Sequence, residues 1–209
     1  MKPQEYWGNP KFAKEWVRNR KHYSKNEARA EDKEILSQNF LPKEFKKVAE
    51  DITSVLEVGA GDGRLIGGFA KQYPDKRCAS VDINPELSKY VAKKHGIETF
   101  VGDVTVKLPF KDNEFDFTYT FQVLQHIALT EEIRDALKEL KRITKKELWL
   151  IEGWDNLKKW KCPNGHKRHD AGGGTFYWDI GELVDCYDTE LLSKDKSRDT
   201  NNKLYKVKL

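Results

Sequence analysis

Cysteine is scarce in this sequence. The three present among 209 residues, Cys78, Cys162 and Cys186, are too few and too scattered for a disulfide framework. No run of about 18 apolar residues occurs, so no membrane-crossing helix and no membrane partner is expected. The start, Met1-Lys2-Pro3-Gln4-Glu5, has no apolar signal core, so a cytoplasmic location is expected rather than export. There is no G-x-S-x-G elbow and no P-loop, which leaves hydrolase and nucleotide-triphosphatase readings without support. Cys162, His166 and His169 form an incomplete ligand set, with no second C-x-x-C and no H-E-x-x-H, so no metal is expected. Neither sign of charge dominates, since 38 basic and 34 acidic residues give a formal net charge of +4.

What is present is a polar but folding-competent chain. Charged residues reach 34%, against about 25% in ordinary domains, and mean hydropathy is −0.79. Yet 11% of the residues are aromatic and the apolar ones recur in ordered blocks, which disordered tails do not show. A chain of this size buries roughly 70% of its unfolded surface, enough for one domain spanning 1–209.

The first fifty residues read as charged helices. Phe12, Ala13, Trp16 and Val17 make a helical stripe after Pro10, and Phe45, Val48, Ala49 and Ile52 predict a second helix after Pro42. From residue 54 short apolar runs alternate with helical patterns, the signature of βαβ units around a parallel sheet. Strands are expected at 54–58, 78–82, 98–101, 115–120 and 147–152. Leu65, Ile66, Phe69, Ala70 and Tyr73 give one helix face between them. Asn84-Pro85 starts a second helix that Gly96 stops, and Ile133, Ala136, Leu137, Leu140 and Ile143 give a third. Residues 153–180 read as a long irregular loop, basic at 158–168 and then glycine-rich at Gly172, Gly173 and Gly174. Two final strands are expected at 187–192 and 204–209.

The most informative segment is Glu57-Val58-Gly59-Ala60-Gly61-Asp62-Gly63-Arg64. Closely spaced glycines between a strand and a helix let backbone N–H groups approach a ligand at the helix N-terminus. A dinucleotide fingerprint, G-x-G-x-x-G, requires its third glycine at position 64. Arg64 stands there and the glycine falls at Gly63. Asp82 ends the second strand, where a carboxylate accepts both hydroxyls of a ribose, each charge-assisted bond being worth about 1.5–3 kcal/mol. Such an acid suits NAD or any adenosine ligand. Gly102-Asp103-Val104 places another carboxylate on the same edge, positioned for an adenine amino group.

Together, Glu57-x-Gly59-x-Gly61-x-Gly63, Asp82, Gly102-Asp103 and the stretch from Phe115-Asp116-Phe117 to Leu124-Gln125-His126-Ile127 resemble class I S-adenosylmethionine-dependent methyltransferases. The likeness covers residues 54–152. Its VLQHI ending is similar to the small-molecule branch, quinone-biosynthesis enzymes included, and more loosely to methylases associated with pseudaminic acid biosynthesis. The resemblance implies a three-layer, Rossmann-like α/β fold, with a mainly parallel sheet of about seven strands, helices on both faces and the last strand antiparallel. It implies S-adenosylmethionine as cofactor, with Gly59, Ala60 and Gly61 passing close to its methionine part and Glu57 supporting that loop. Asp82 would hold the ribose and Ile83 the adenine face, while Asp103 and Val104 meet the adenine edge. Phe121 and Gln122 would lie beside the sulfonium and the substrate. Residues 1–50 would form a helical lid with Tyr6, Trp7, Arg18 and Tyr23, 54–152 the cofactor core, and 153–209 the substrate loop and final strands.

Methyl transfer is an in-line displacement in which positioning supplies on the order of 7–11 kcal/mol. A base is required only where the attacking atom carries a proton of high pKa. His126, just after the fourth strand, is the first candidate base, and His169 beside Asp170 the second. The expected function is S-adenosylmethionine-dependent methylation of a small polar or anionic molecule. The basic stretch 158–168 with Trp154 and Trp160 has the composition of a nucleic-acid binder. Against that, the fourth strand continues as Thr120-Phe121-Gln122-Val123, without the Asp/Asn-Pro-Pro-Tyr ending of DNA amino-methyltransferases or a Pro-Cys nucleophile. The alternatives are an RNA or protein methyltransferase and a nucleotide-binding oxidoreductase.

Overall fold

A parallel strand covered on both faces has to be apolar along its length. Val55, Leu56, Ala79 and Val81, all nearly inaccessible, meet that demand. A computed structural model of the chain describes residues 3–23, 41–155, 166–169, 175–178, 180–191 and 200–209. Seven of its strands form a mixed, mainly parallel sheet with helices. The chain divides into two compact units, Met1–Asp103 and Val104–Leu209.

In the first unit, helices α1 (Pro3–Trp7), α2 (Pro10–Tyr23) and α3 (Leu41–Ala49) precede β1 (Ser54–Val58). Then α4 (Arg64–Gln72), β2 (Arg77–Asp82), α5 (Pro85–His95) and β3 (Glu98–Val101) alternate. The three strands are parallel in the order β3-β2-β1, with Val58 opposite Val81 and Asp82 opposite Val101. This register brings the three strand ends to one edge, from which the loops at 59–63, 83–84 and 102–103 depart. Leu65, Ile66 and Phe69 form the buried stripe of α4, and Phe45 of α3 meets Phe69 edge-on at 5.5 Å.

In the second unit, β4 (Phe115–Phe121) leads to α6 (Thr130–Ile143) and β5 (Thr144–Asp155). All seven residues of β4 are buried, and β4 and β5 are parallel. β8 (Cys186–Leu191) and β9 (Thr200–Val207) complete this part of the sheet in the order β4-β5-β9-β8. β9 is antiparallel to both of its neighbours, so the last strand inserts between β5 and β8. Trp149, Tyr119 and Tyr205 fill the core here.

The stretch 153–180 departs from the irregular loop expected of it. β5 runs on to Asp155, and β6 (His166–His169) pairs with β7 (Thr175–Trp178) in a separate two-stranded sheet. The sequence hides this hairpin because its strands are only four residues long, β6 (His-Lys-Arg-His) is wholly polar, and the aromatic β7 (Thr-Phe-Tyr-Trp) follows a run of three glycines, Gly172, Gly173 and Gly174. A helical turn, α7 (Ile180–Leu183), follows. The basic segment with Lys158, Lys159, Trp160, Lys161 and Cys162, and also Asp170 and Gly172, Gly173 and Gly174, lie outside the described residues.

Candidate active site

β1 ends at Val58, and Gly59, Gly61 and Gly63 follow with φ of +73°, +57° and +68°. A side chain is costly in that left-handed region, so glycine at alternate positions is what the turn requires. Each glycine N–H has a partner: Gly59 N donates to Val81 O at 2.7 Å, Gly61 N to Asp82 Oδ2 at 2.8 Å, and Gly63 N to Ala60 O at 2.9 Å. Asp82 Oδ1 accepts from Asn84 N at 2.8 Å. One carboxylate thus fixes the glycine turn and the start of the next loop together. Burial raises the Asp82 pKa, while the N–H groups of Asn84 and Gly61 work against that rise. A carboxylate offers about four lone-pair sites. Two are used here, so acceptor capacity remains for hydroxyl groups of a ligand.

Glu57 lies beneath this loop, 2% exposed, with Oε2 accepting from Ile66 N at 3.0 Å. It satisfies one of the orphan N–H groups of the first turn of α4. Ile83 and Asp103 are half-buried at their strand ends, and Ala60 is buried in the turn. Asn84 caps α5 by accepting from Glu86 N at 3.0 Å. Its Nδ2 donates to Trp7 O at 2.7 Å and Asn9 O at 3.0 Å, which ties the start of the chain to the residue after Ile83. Tyr6, Trp7 and Phe12 form an aromatic cluster at that point, with Tyr6 exposed. The side chains of Trp16, Arg18 and Tyr23 lie outside the described residues.

In the second unit, Val104 and Phe121 are each 8% exposed. Gln122 follows β4 with φ +55°, a conformation uncommon outside glycine and asparagine. Its N–H donates to Ile151 O at 2.8 Å. A 3-10 turn, Leu124–His126, comes next and carries the candidate base. His126 is half-buried, with its Nε2 3.5 Å from Gln125 Nε2. At the far end of this turn Trp178 Nε1 donates to Ile127 O at 2.9 Å. The β6–β7 register puts His166 opposite Trp178 and His169 opposite Thr175. It is therefore the backbone of His166, not that of the candidate His169, that pairs beside the tryptophan holding the His126 turn. The side chains of both histidines lie outside the described residues.

One buried acid beside the candidate base escaped the sequence reading. Glu152, 2% exposed near the end of β5, accepts from Thr120 Oγ1 at 2.7 Å, Val123 N at 3.3 Å and Gln125 N at 3.4 Å. Burial pushes its carboxyl up to about 7, against the lowering effect of these donors. The available signal was an acid closing the apolar run Leu148-Trp149-Leu150-Ile151, where a strand covered on both faces calls for another apolar residue. Among the described residues no cluster of His, Cys, Asp and Glu is arranged to hold a metal ion.

The family model described as "Methyltransferase domain" matches residues 56–151, from β1 through β5. Residues 56–151 are thus similar to a methyltransferase domain. The domain is 34% identical over 110 residues to an uncharacterized methyltransferase of Schizosaccharomyces pombe, covering 47% of this chain and 38% of that protein. It is 27% identical over 106 residues to tabersonine 16-O-methyltransferase of Catharanthus roseus, covering 51% of this chain and 28% of the relative. The chain thus spans well under half the length of these curated relatives. Across 95% of the chain, the fold is that of a SAM-dependent methyltransferase from Aquifex aeolicus, with a TM-score of 0.62 at 18% identity and 97% of that structure covered.

Proposed function

We propose that the chain transfers a methyl group from S-adenosylmethionine to a small polar or anionic molecule. The observation that carries this reading is the left-handed glycine turn held by Asp82, whose carboxylate keeps free acceptor sites at the end of β2. The arrangement fits the cofactor: a turn without side chains lets an amino-acid tail approach the backbone closely, and a carboxylate with unused acceptor sites suits a ribose. When bound, S-adenosylmethionine supplies a methyl group on a positively charged sulfur. On the first unit, Gly59, Ala60 and Gly61 give the methionine part access to the backbone. Asp82 accepts from the ribose hydroxyls, Ile83 covers the adenine and Asp103 accepts from its amino group. The second unit carries candidates of its own: Val104, Phe121 and Gln122 for the cofactor, and the imidazole of His126 as the base that takes the proton from the attacking hydroxyl or amine of the acceptor. The name of the Catharanthus relative, an O-methyltransferase of tabersonine, supports a small molecule as acceptor.

The test is calorimetry of the full chain with S-adenosylmethionine, S-adenosylhomocysteine and NAD, followed by a turnover screen against sugar nucleotides, phenols, amines and RNA. Binding of the two adenosyl-sulfur ligands without NAD, and turnover of a small acceptor, is the expected result. Tight NAD binding with no response to S-adenosylmethionine overturns the reading, and turnover confined to RNA overturns the choice of acceptor.

A further inference from the structure

The segment 121–127 carries a strained residue, and strain of this kind persists only where the surroundings over-determine the backbone. Gln122 is in the left-handed region at φ +55°, one of two such non-glycine residues among those described; the other is Asn113, a type that tolerates it. What over-determines the backbone here is β5. Gln122 N is held by Ile151 O, and the next two tethers, from Val123 N and Gln125 N, both end on the carboxylate of Glu152. Thr120 Oγ1 adds a third donor from within β4 at 2.7 Å.

We propose that Glu152 is a positioning residue that holds the turn bearing Gln122, Gln125 and His126 in its binding geometry through its ionised carboxylate. The effect expected on cofactor affinity rests on the methyltransferase reading given above, in which Phe121 and Gln122 contact the cofactor. The chemistry follows from these partners. The two oxygens face only donors, Thr120 Oγ1 and the N–H groups of the turn, a match for a carboxylate, which only accepts. A protonated acid or a glutamine amide turns one of those two positions into a donor, so one backbone tether faces a donor instead of an acceptor. The carboxyl is pushed up to about 7, so this change of state falls within the neutral range.

The other groups packed around Glu152 leave it as the acid on this turn. His126 is on the turn itself, and Lys203 lies opposite Glu152 in the β5–β9 register, its Nζ 4.8 Å from the ring of Tyr205. β4 contributes Thr120, whose hydroxyl donates to Glu152, and Trp178 of β7 donates to Ile127 O at the end of the turn. The buried acid of α6, Glu139, is held by Arg142 and Leu108 N.

The experiment uses the full chain, its Glu152→Gln and Glu152→Ala variants, and S-adenosylhomocysteine as the probe. Affinity is measured by calorimetry from about pH 5.5 to 8.5, and amide hydrogen exchange is followed in the 121–127 segment. In the wild type, affinity should rise as Glu152 ionises. Loss of one charge-assisted tether predicts roughly a fivefold to tenfold weakening in Glu152→Gln at the alkaline end, converging on the wild type at the acid end. Exchange at Val123 and Gln125 should quicken in both variants while the rest of β4 and β5 stays protected. A His126→Asn control should keep the acidic limb, which separates Glu152 from the histidine; loss of the limb in that control overturns the assignment. Glu152→Gln with wild-type affinity, pH profile and exchange also overturns the proposal. If the wild type fails to bind the probe at all, the methyltransferase reading fails, and the exchange data still decide whether Glu152 holds the turn.

Discussion

Asp82 holds the glycine turn and is also the proposed ribose acceptor, and a single substitution bears on both. Its oxygens each accept one backbone N–H, from Gly61 and from Asn84, and its remaining acceptor sites are assigned to the ribose. Asp82→Asn keeps the shape but replaces one acceptor with a donor, so both the glycine turn and the ligand suffer. A lost charge-assisted bond of about 1.5–3 kcal/mol predicts roughly a 10-fold to 150-fold weaker dissociation constant for S-adenosylhomocysteine, measured by calorimetry. His126→Ala should behave differently. It removes the proposed base and leaves the glycine turn intact, so turnover of an identified acceptor should fall by about 10²–10⁴-fold with little change in cofactor affinity. Unchanged turnover would remove His126 from the mechanism. The carboxylate at 82 and the glycines were legible because strand ends and left-handed turns are local properties. The double engagement of Asp82 with residues 61 and 84 was not, because it depends on how β1 and β2 are registered.

At the level of elements, α4 and α5 show why two adjacent glycines are not equivalent. A Cβ at Gly67 would run into the ring of His95, and one at Gly63 would come within 2.7 Å of Val91 Cγ1, whereas one at Gly68 meets nothing within 4 Å. Gly67→Ala therefore forces the α4–α5 contact apart and should destabilise by about 1–3 kcal/mol, read by thermal or urea unfolding. Gly68→Ala, in an exposed helix interior, should stabilise by about 0.5–1 kcal/mol. Adding His95→Ala should relieve part of the Gly67→Ala loss, because the clash is with that ring. Asn84 links three elements, capping α5 and holding the backbone of Trp7 and Asn9. Asn84→Ala should cost about 1 kcal/mol through the cap alone and make residues 3–23 more susceptible to limited proteolysis. The cap and the Gly96 stop were readable from Asn84-Pro85 and Gly96. The tie to Trp7 and Asn9 was not, since nothing local couples positions 75 residues apart.

For the molecule as a whole, Glu152 sets function against stability. Its carboxyl sits at about 7 in the folded chain, above an ordinary value of about 4.3. The folded state therefore binds this proton more tightly than the unfolded state does. The stability that Glu152 contributes is complete below its ordinary pKa and is lost as pH rises through about 7. The stability of the wild type relative to Glu152→Gln should accordingly fall between about pH 4 and pH 7, measured as the difference of two urea-unfolding series. His95, whose pKa is lowered by burial and by Lys94, has the opposite sign, its contribution being lost as pH falls, but it is common to both series and cancels. The sequence by itself determined the alternation of strands and helices, the glycine turn and the acids at the strand ends, because periodicity, caps and left-handed positions are written over a few neighbouring residues. Only the tertiary structure decided that β9 inserts between β5 and β8, that β6 and β7 pair, and that Glu152 closes over the strained turn at Gln122. Each of those depends on register and burial shared between segments far apart in the chain, and no local pattern carries that information.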